Sequence, residues 1–168
     1  MTALDSLVAD VIAAAGGEIV GRIRLQKILY LLEQQGLNAK GAFRYHHYGP
    51  YSRVLDDALD RAKALKGVTE DVGFRKDGAA YSIFRVSERQ VPNEIGGIET
   101  DTVRRLISLM KPYAATVLEI AATIHWLVNV EKIADWREEL ASRKGVKAEG
   151  GRTQLALTLL AHLRLAPA

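Results

Sequence analysis

Four histidines, His46, His47, His125 and His162, are the only imidazoles in the sequence, and no cysteine accompanies them. Thiolate nucleophiles, disulfides and cysteine-held zinc or iron–sulfur centres are therefore excluded. The histidines show neither HxxxH nor HExxH spacing. In an extended segment adjacent residues point to opposite sides, so His46 and His47 are poorly placed to share an ion. His47 reads as a partly buried ring hydrogen-bonded near Gly49-Pro50, and His125, on an otherwise apolar stretch, as a core imidazole bonded to a carboxylate or backbone carbonyl. The run Gly16-Gly17-Glu18-Ile19-Val20-Gly21-Arg22 has the glycine separation of a phosphate loop. Its chemistry does not follow: Arg22 stands at the lysine position, Ile23 at the magnesium-binding hydroxyl, and no strand is predicted before the glycines. No GxSxG elbow occurs. From these absences the expectation is a protein that is not an enzyme and holds no metal or cofactor.

Binding chemistry is better represented. Phe43, Tyr45, Tyr48 and Tyr51 cluster within nine residues, and tyrosine combines an apolar ring with a polar tip of the kind enriched at protein interfaces. Tyr45, His47, Tyr48, Tyr51 and Arg53 are the expected partner-binding residues. Cations that could meet nucleic acid or another anion are Arg22, Arg24, Lys27, Arg44 and Lys63, together with Arg143, Lys144, Lys147 and Arg152 in a segment carrying four positive residues against Glu149. The competing reading of these groups is a solvated surface and a helix C-terminus that favours cations. Net charge is +3 at a pI near 9.2, which permits nucleic-acid contact without demanding it. The segment 50–70 balances Arg53, Arg61, Lys63 and Lys66 against Asp56, Asp57, Asp60 and Glu70, so a helix there brings no net attraction to phosphates.

The elements that must position these groups follow from hydrophobic spacing. Leu4, Leu7, Val8, Val11 and Ile12 predict a first helix after Thr2; Leu25, Ile28, Leu29 and Leu32 a second, with Arg24 and Lys27 on its exposed face. Gly49-Pro50 predicts a turn, with Ser52 capping a third helix that closes at Gly67. Residues 68–74 and 79–86 predict a hairpin around Asp77-Gly78. Four more helices are expected: one from near Thr100 to Lys111, one started by Pro112, one defined by Ile133, Trp136 and Leu140 that ends near Gly145, and one defined by Leu155, Leu159, Leu160 and Leu163. The longest apolar stretch, Ala114 to Val130, would be about 25 Å long as a helix, short of a bilayer core of about 30 Å, and Glu119 and His125 interrupt it. A buried hub is expected, not a membrane span.

The predicted fold class is mainly α with a small β-hairpin: a winged-helix-like N-terminal lobe over 1–90 and a C-terminal four-helix lobe over 99–168 packed on it, joined by a connection over 87–98. No basic region precedes an apolar run at the amino terminus, so a cytoplasmic protein is expected.

Arg24-Leu25-Gln26-Lys27-Ile28-Leu29-Tyr30-Leu31-Leu32, followed by Phe43 and by Tyr48-Gly49-Pro50-Tyr51-Ser52, resembles the bacterial YwgA-like family and the broader Panacea (SocA-like) antitoxin domains. Leu118 to Leu127 is similar to the later helix of the YwgA-like proteins. The narrower resemblance covers nearly the whole chain, the Panacea one about residues 22–60. It implies a small non-catalytic adaptor or antitoxin in a toxin–antitoxin or phage-defence setting, whose partner is a protein toxin or defence effector. The alternative is a winged-helix DNA-binding regulator, and the leucines of the last helix serve either a homodimer or the cover of the hub helix.

Overall fold

The computed structural model describes all 168 residues. The architecture is mainly helical, with seven helices and three small antiparallel sheets. Thr2 and Asp5 form a reciprocal capping box at the start of α1 (Ala3–Ala14), which ends before Gly16-Gly17. These glycines, both at positive φ, lead into β1 (Glu18–Val20) and then α2 (Arg22–Gln34). Eight successive residues of α2, Leu25 through Leu32, are buried. An amphipathic helix would bury only one face. Here α2 is covered on all sides and packs on elements from both halves of the chain.

The next segment departs from expectation. Gly49-Pro50 is not the turn into a helix but part of β3 (Gly49–Tyr51), which pairs with β2 (Arg44–His46); the chain reverses at His47-Tyr48. Helix α3 (Arg53–Ala64) starts only after Ser52, whose hydroxyl accepts from the Leu55 amide as predicted. The predicted hairpin is present as β4 (Thr69–Phe74) and β5 (Ala80–Arg85), and β1 adds to it in the order β1-β5-β4. The connection over 87–98 also contains structure, the two-residue strands β6 (Glu94–Ile95) and β7 (Ile98–Glu99) around Gly96-Gly97. Short strands of two or three residues leave too little alternation to be read from sequence.

Helices α4 (Thr100–Met110), α5 (Ala115–Asn129), α6 (Trp136–Lys144) and α7 (Arg152–His162) follow, with a 3-10 turn at Gly145–Ala148. Helix α5 buries Val117 through His125 without a break, as its apolar circumference predicts. One cluster of 39 buried apolar residues includes Val8 and Leu29 at one end and Leu118 and Leu160 at the other, so both halves of the chain share a core. No single helix is long and apolar enough to cross a membrane.

Candidate functional site

The β2–β3 hairpin is fastened from below by side chains of α2, α5 and α6. Gln26 donates to the Ser52 carbonyl and accepts from the Ser52 amide, both at 2.9 Å. Lys27 donates to the Pro50 carbonyl, and Lys144 donates to the His47 carbonyl at 3.2 Å. These partners satisfy backbone groups that a short hairpin cannot pair within itself. Gly49 has φ +84°, and a Cβ there would lie 2.8 Å from the Thr123 hydroxyl. The glutamine and lysine of the α2 motif therefore hold the proline and serine of the Tyr-Gly-Pro motif: the two sequence signatures are two sides of one contact.

Beneath the hairpin lies a buried charge cluster. Glu119, 2% exposed, accepts from Lys144 at 3.0 Å and from Lys147 at 3.3 Å. Lys27 has no exposed surface. Burial lowers its pKa to about 7; Glu119 pulls the other way, while Lys144 and Lys147 add to the depression. The buried Thr123 and Tyr45 hydroxyls have no hydrogen-bond partner. Above them the surface is aromatic and cationic: Arg143 stacks 4.7 Å from the Tyr45 ring, and Lys147 stacks 4.6 Å from the ring of Tyr48, which is exposed. One turn further along α2, the Tyr30 hydroxyl and His125 Nδ1 share a hydrogen bond of 2.7 Å. Burial lowers the His125 pKa and raises that of Tyr30, which favours the neutral forms of both. The carboxylate or carbonyl partner expected for His125 is a tyrosine instead.

The predicted residues divide into three groups. Tyr45, His47, Tyr48, Lys27, Arg143, Lys144 and Lys147 come together around the hairpin, although 97 positions separate the His47–Lys144 contact. Tyr51 lies at the other end of β3 and donates to Asp56; burial first, and then this hydrogen bond, raises its pKa to about 12. Arg53 is exposed at the first turn of α3, and Arg44 is exposed on β2. The remainder are placed differently from expectation. Lys27, assigned to an exposed basic face, is interior because α2 has no exposed face at its centre. Lys144 is 7% exposed and committed to Glu119. Arg22 pairs with Asp56 and Asp60, Lys63 with Asp60 and Glu70, and Arg143 with Glu131 and Glu139. Arg152 donates to the Val146 and Glu149 carbonyls, closing the turn before α7. Of the nine cations expected to meet an anion, Arg22, Lys27, Lys63, Arg143, Lys144 and Lys147 are thus already paired or buried. Arg24 keeps its charge without a carboxylate, donating to the Tyr113 carbonyl at 2.6 Å. Glu119, Gln26 and Thr123 belong to the site but were not expected there. The available signal was Glu119 itself, an acid on an otherwise apolar helix, which requires a buried counter-charge.

No protein-family model matches the sequence. The chain is 27% identical over 158 residues to a DNA ADP-ribosyl glycohydrolase of Thermus aquaticus, an alignment covering 88% of this chain and 42% of that protein. It is 25% identical over 118 residues to the uncharacterized protein YwgA of Bacillus subtilis, covering 68% of this chain and 69% of YwgA. The chain thus spans less than half the length of the first relative. The likeness to YwgA agrees with the YwgA-like part of the resemblance read from the motifs. The expectation that the chain is not an enzyme is overturned by the likeness to a protein named as a hydrolase.

Proposed function

We propose that the chain is the partner-binding, antitoxin-like component of a bacterial toxin–antitoxin or phage-defence system whose chemistry is the ADP-ribosylation of DNA. The alignment of 88% of the chain with part of a DNA ADP-ribosyl glycohydrolase supports the setting, and the exposed Tyr48 and Arg53 support the binding role. Removal of ADP-ribose from DNA presupposes an enzyme that attaches it. The attaching transferase is the toxin, and it is the partner assigned to this chain. That the same region matches part of a longer protein and most of YwgA is the behaviour of a module used alone or joined to others.

In this reading residues 1–90 form a winged-helix-like lobe, 99–168 a four-helix lobe packed on it, and the exposed Tyr48 and Arg53 flank the partner-binding face. Aromatic and arginine side chains anchor such faces. Co-expression with a bacterial DNA ADP-ribosyltransferase toxin tests it. The expected result is a complex that survives size-exclusion chromatography, with less modified DNA in the cell, and about tenfold weaker binding for Tyr48→Ala with Arg53→Ala. Absence of a complex, with DNA modification undiminished, overturns it.

The hydrolase name favours a second reading, in which the chain itself acts on ADP-ribosylated DNA. Release of ADP-ribose from a modified single strand by the purified chain tests it directly.

A further inference from the structure

A cavity of about 920 Å³ opens between the β4–β5 hairpin and the first turns of α2 and α5. Arg22, Arg24, Arg75 and Lys147 line it, and Glu119 is its only acid. These charges are unequally committed. Arg22 is neutralised by Asp56 and Asp60, and Lys147 shares Glu119 with Lys144. Arg24 is held in place by two backbone carbonyls, those of Lys111 and Tyr113, and has no carboxylate partner. Arg75 is exposed and forms no ion pair with any carboxylate of the chain. Two uncompensated guanidiniums therefore face one concave space. Guanidinium is the side chain best matched to a phosphate, which it can hold through two parallel hydrogen bonds.

The backbone adds to this field. Residues 22–24 at the start of α2 and 114–116 at the start of α5 line the same cavity. Neither helix has a side-chain cap, so both present free amides and the positive end of the helix dipole to the cavity. The walls are not those of a bare phosphate site. Tyr81, its ring lying across Gly73, lines the cavity from β5, and Tyr48 lines it from the β2–β3 turn; Val20 and Val72 also line it. Flat rings next to cations suit a nucleobase joined to a phosphate, and the volume is that of a small-molecule site.

We propose that this cavity binds a phosphate-bearing nucleotide, with Arg24 and Arg75 on the phosphates and Tyr81 against the base. The proposal goes beyond the partner-binding reading and stands whether or not a partner protein is found. The nucleotide can be free in solution or part of a single DNA strand, and the two sources are separated by the probes. Calorimetric titration of the full chain at low salt uses inorganic pyrophosphate, ADP, ADP-ribose and a ten-residue thymidine oligonucleotide. Saturable binding of ADP or ADP-ribose, tighter than that of pyrophosphate, is the expected result for a free nucleotide. Binding of the oligonucleotide alone assigns the cavity to a DNA strand. Arg75→Ala and Tyr81→Leu, made in an exposed hairpin, should each weaken binding at least about tenfold, while Arg105→Ala, exposed on α4 and outside the cavity, should leave it unchanged with the same circular dichroism spectrum. No saturable binding of any nucleotide probe at millimolar concentration, pyrophosphate binding as tightly as ADP, or indifference to Arg75→Ala, overturns the proposal.

Discussion

Lys27 illustrates how a side chain's neighbours decide what its charge is for. Its ammonium holds the Pro50 carbonyl within a cluster where three lysines share the single carboxylate Glu119. Burial brings its pKa from the ordinary 10.5 to about 7 in the folded protein. In the unfolded chain the lysine returns to its ordinary range, so between pH 7 and 10.5 the unfolded state binds more protons. Stability from this residue must then rise with pH across that window, by up to about 1.4 kcal/mol per pH unit. Urea melts at pH 7, 8 and 9 should show a rising midpoint for the native sequence and a flatter profile for Lys27→Met. A midpoint that stays level in the native protein would mean that Glu119 keeps Lys27 charged throughout.

Among the elements, the β2–β3 hairpin is the least able to stand alone. Three residues per strand and a two-residue turn bury almost nothing against one another, and the hairpin keeps its shape because Gln26, Lys27 and Lys144 take its backbone groups. Its weakest tolerance is at Gly49, left-handed and packed against Thr123. Gly49→Ala should cost about 1–2 kcal/mol for the left-handed backbone alone, and more for displacing the Thr123 hydroxyl. Denaturant titration gives the loss, and intact far-ultraviolet circular dichroism at low temperature should show that the helices persist. Gln26→Ala acts on the same element from the other side. It leaves the buried Ser52 amide and carbonyl unpaired, at about 1–3 kcal/mol for each orphaned group.

For the molecule as a whole, the shared core has a thermodynamic consequence. Helix α2, in the first half of the sequence, packs on α5, in the second, and the buried apolar cluster continues through both. Neither half can unfold without exposing the other's core. Calorimetry should therefore give one transition, with calorimetric and van't Hoff enthalpies equal. Ile28→Ala, at the centre of α2 and wholly buried, should lower that single transition by about 2–5 kcal/mol without splitting it. Two resolved transitions would show the lobes to be independent.

Much of this was legible from residue order alone. Helical spacing located all seven helices, β-branched runs around Asp77-Gly78 located the β4–β5 hairpin, and the unbroken apolarity near Leu118–Leu127 announced the burial of α5. These are local properties, set by periodicities of 3.6 and 2 residues that a sequence displays directly. The position of charges relative to the surface is not local. Lys27 has the spacing of a surface lysine and became interior because α5 and the β2–β3 hairpin cover it; Arg143 and Lys144 look like an exposed basic run until Glu131, Glu139 and Glu119 are brought beside them. The meeting of the hairpin with α6, and of Arg24 with Arg75 across the cavity, depends on packing between elements many residues apart. Charge and shape at a site are sums over neighbours in space, and only the folded chain fixes which neighbours those are.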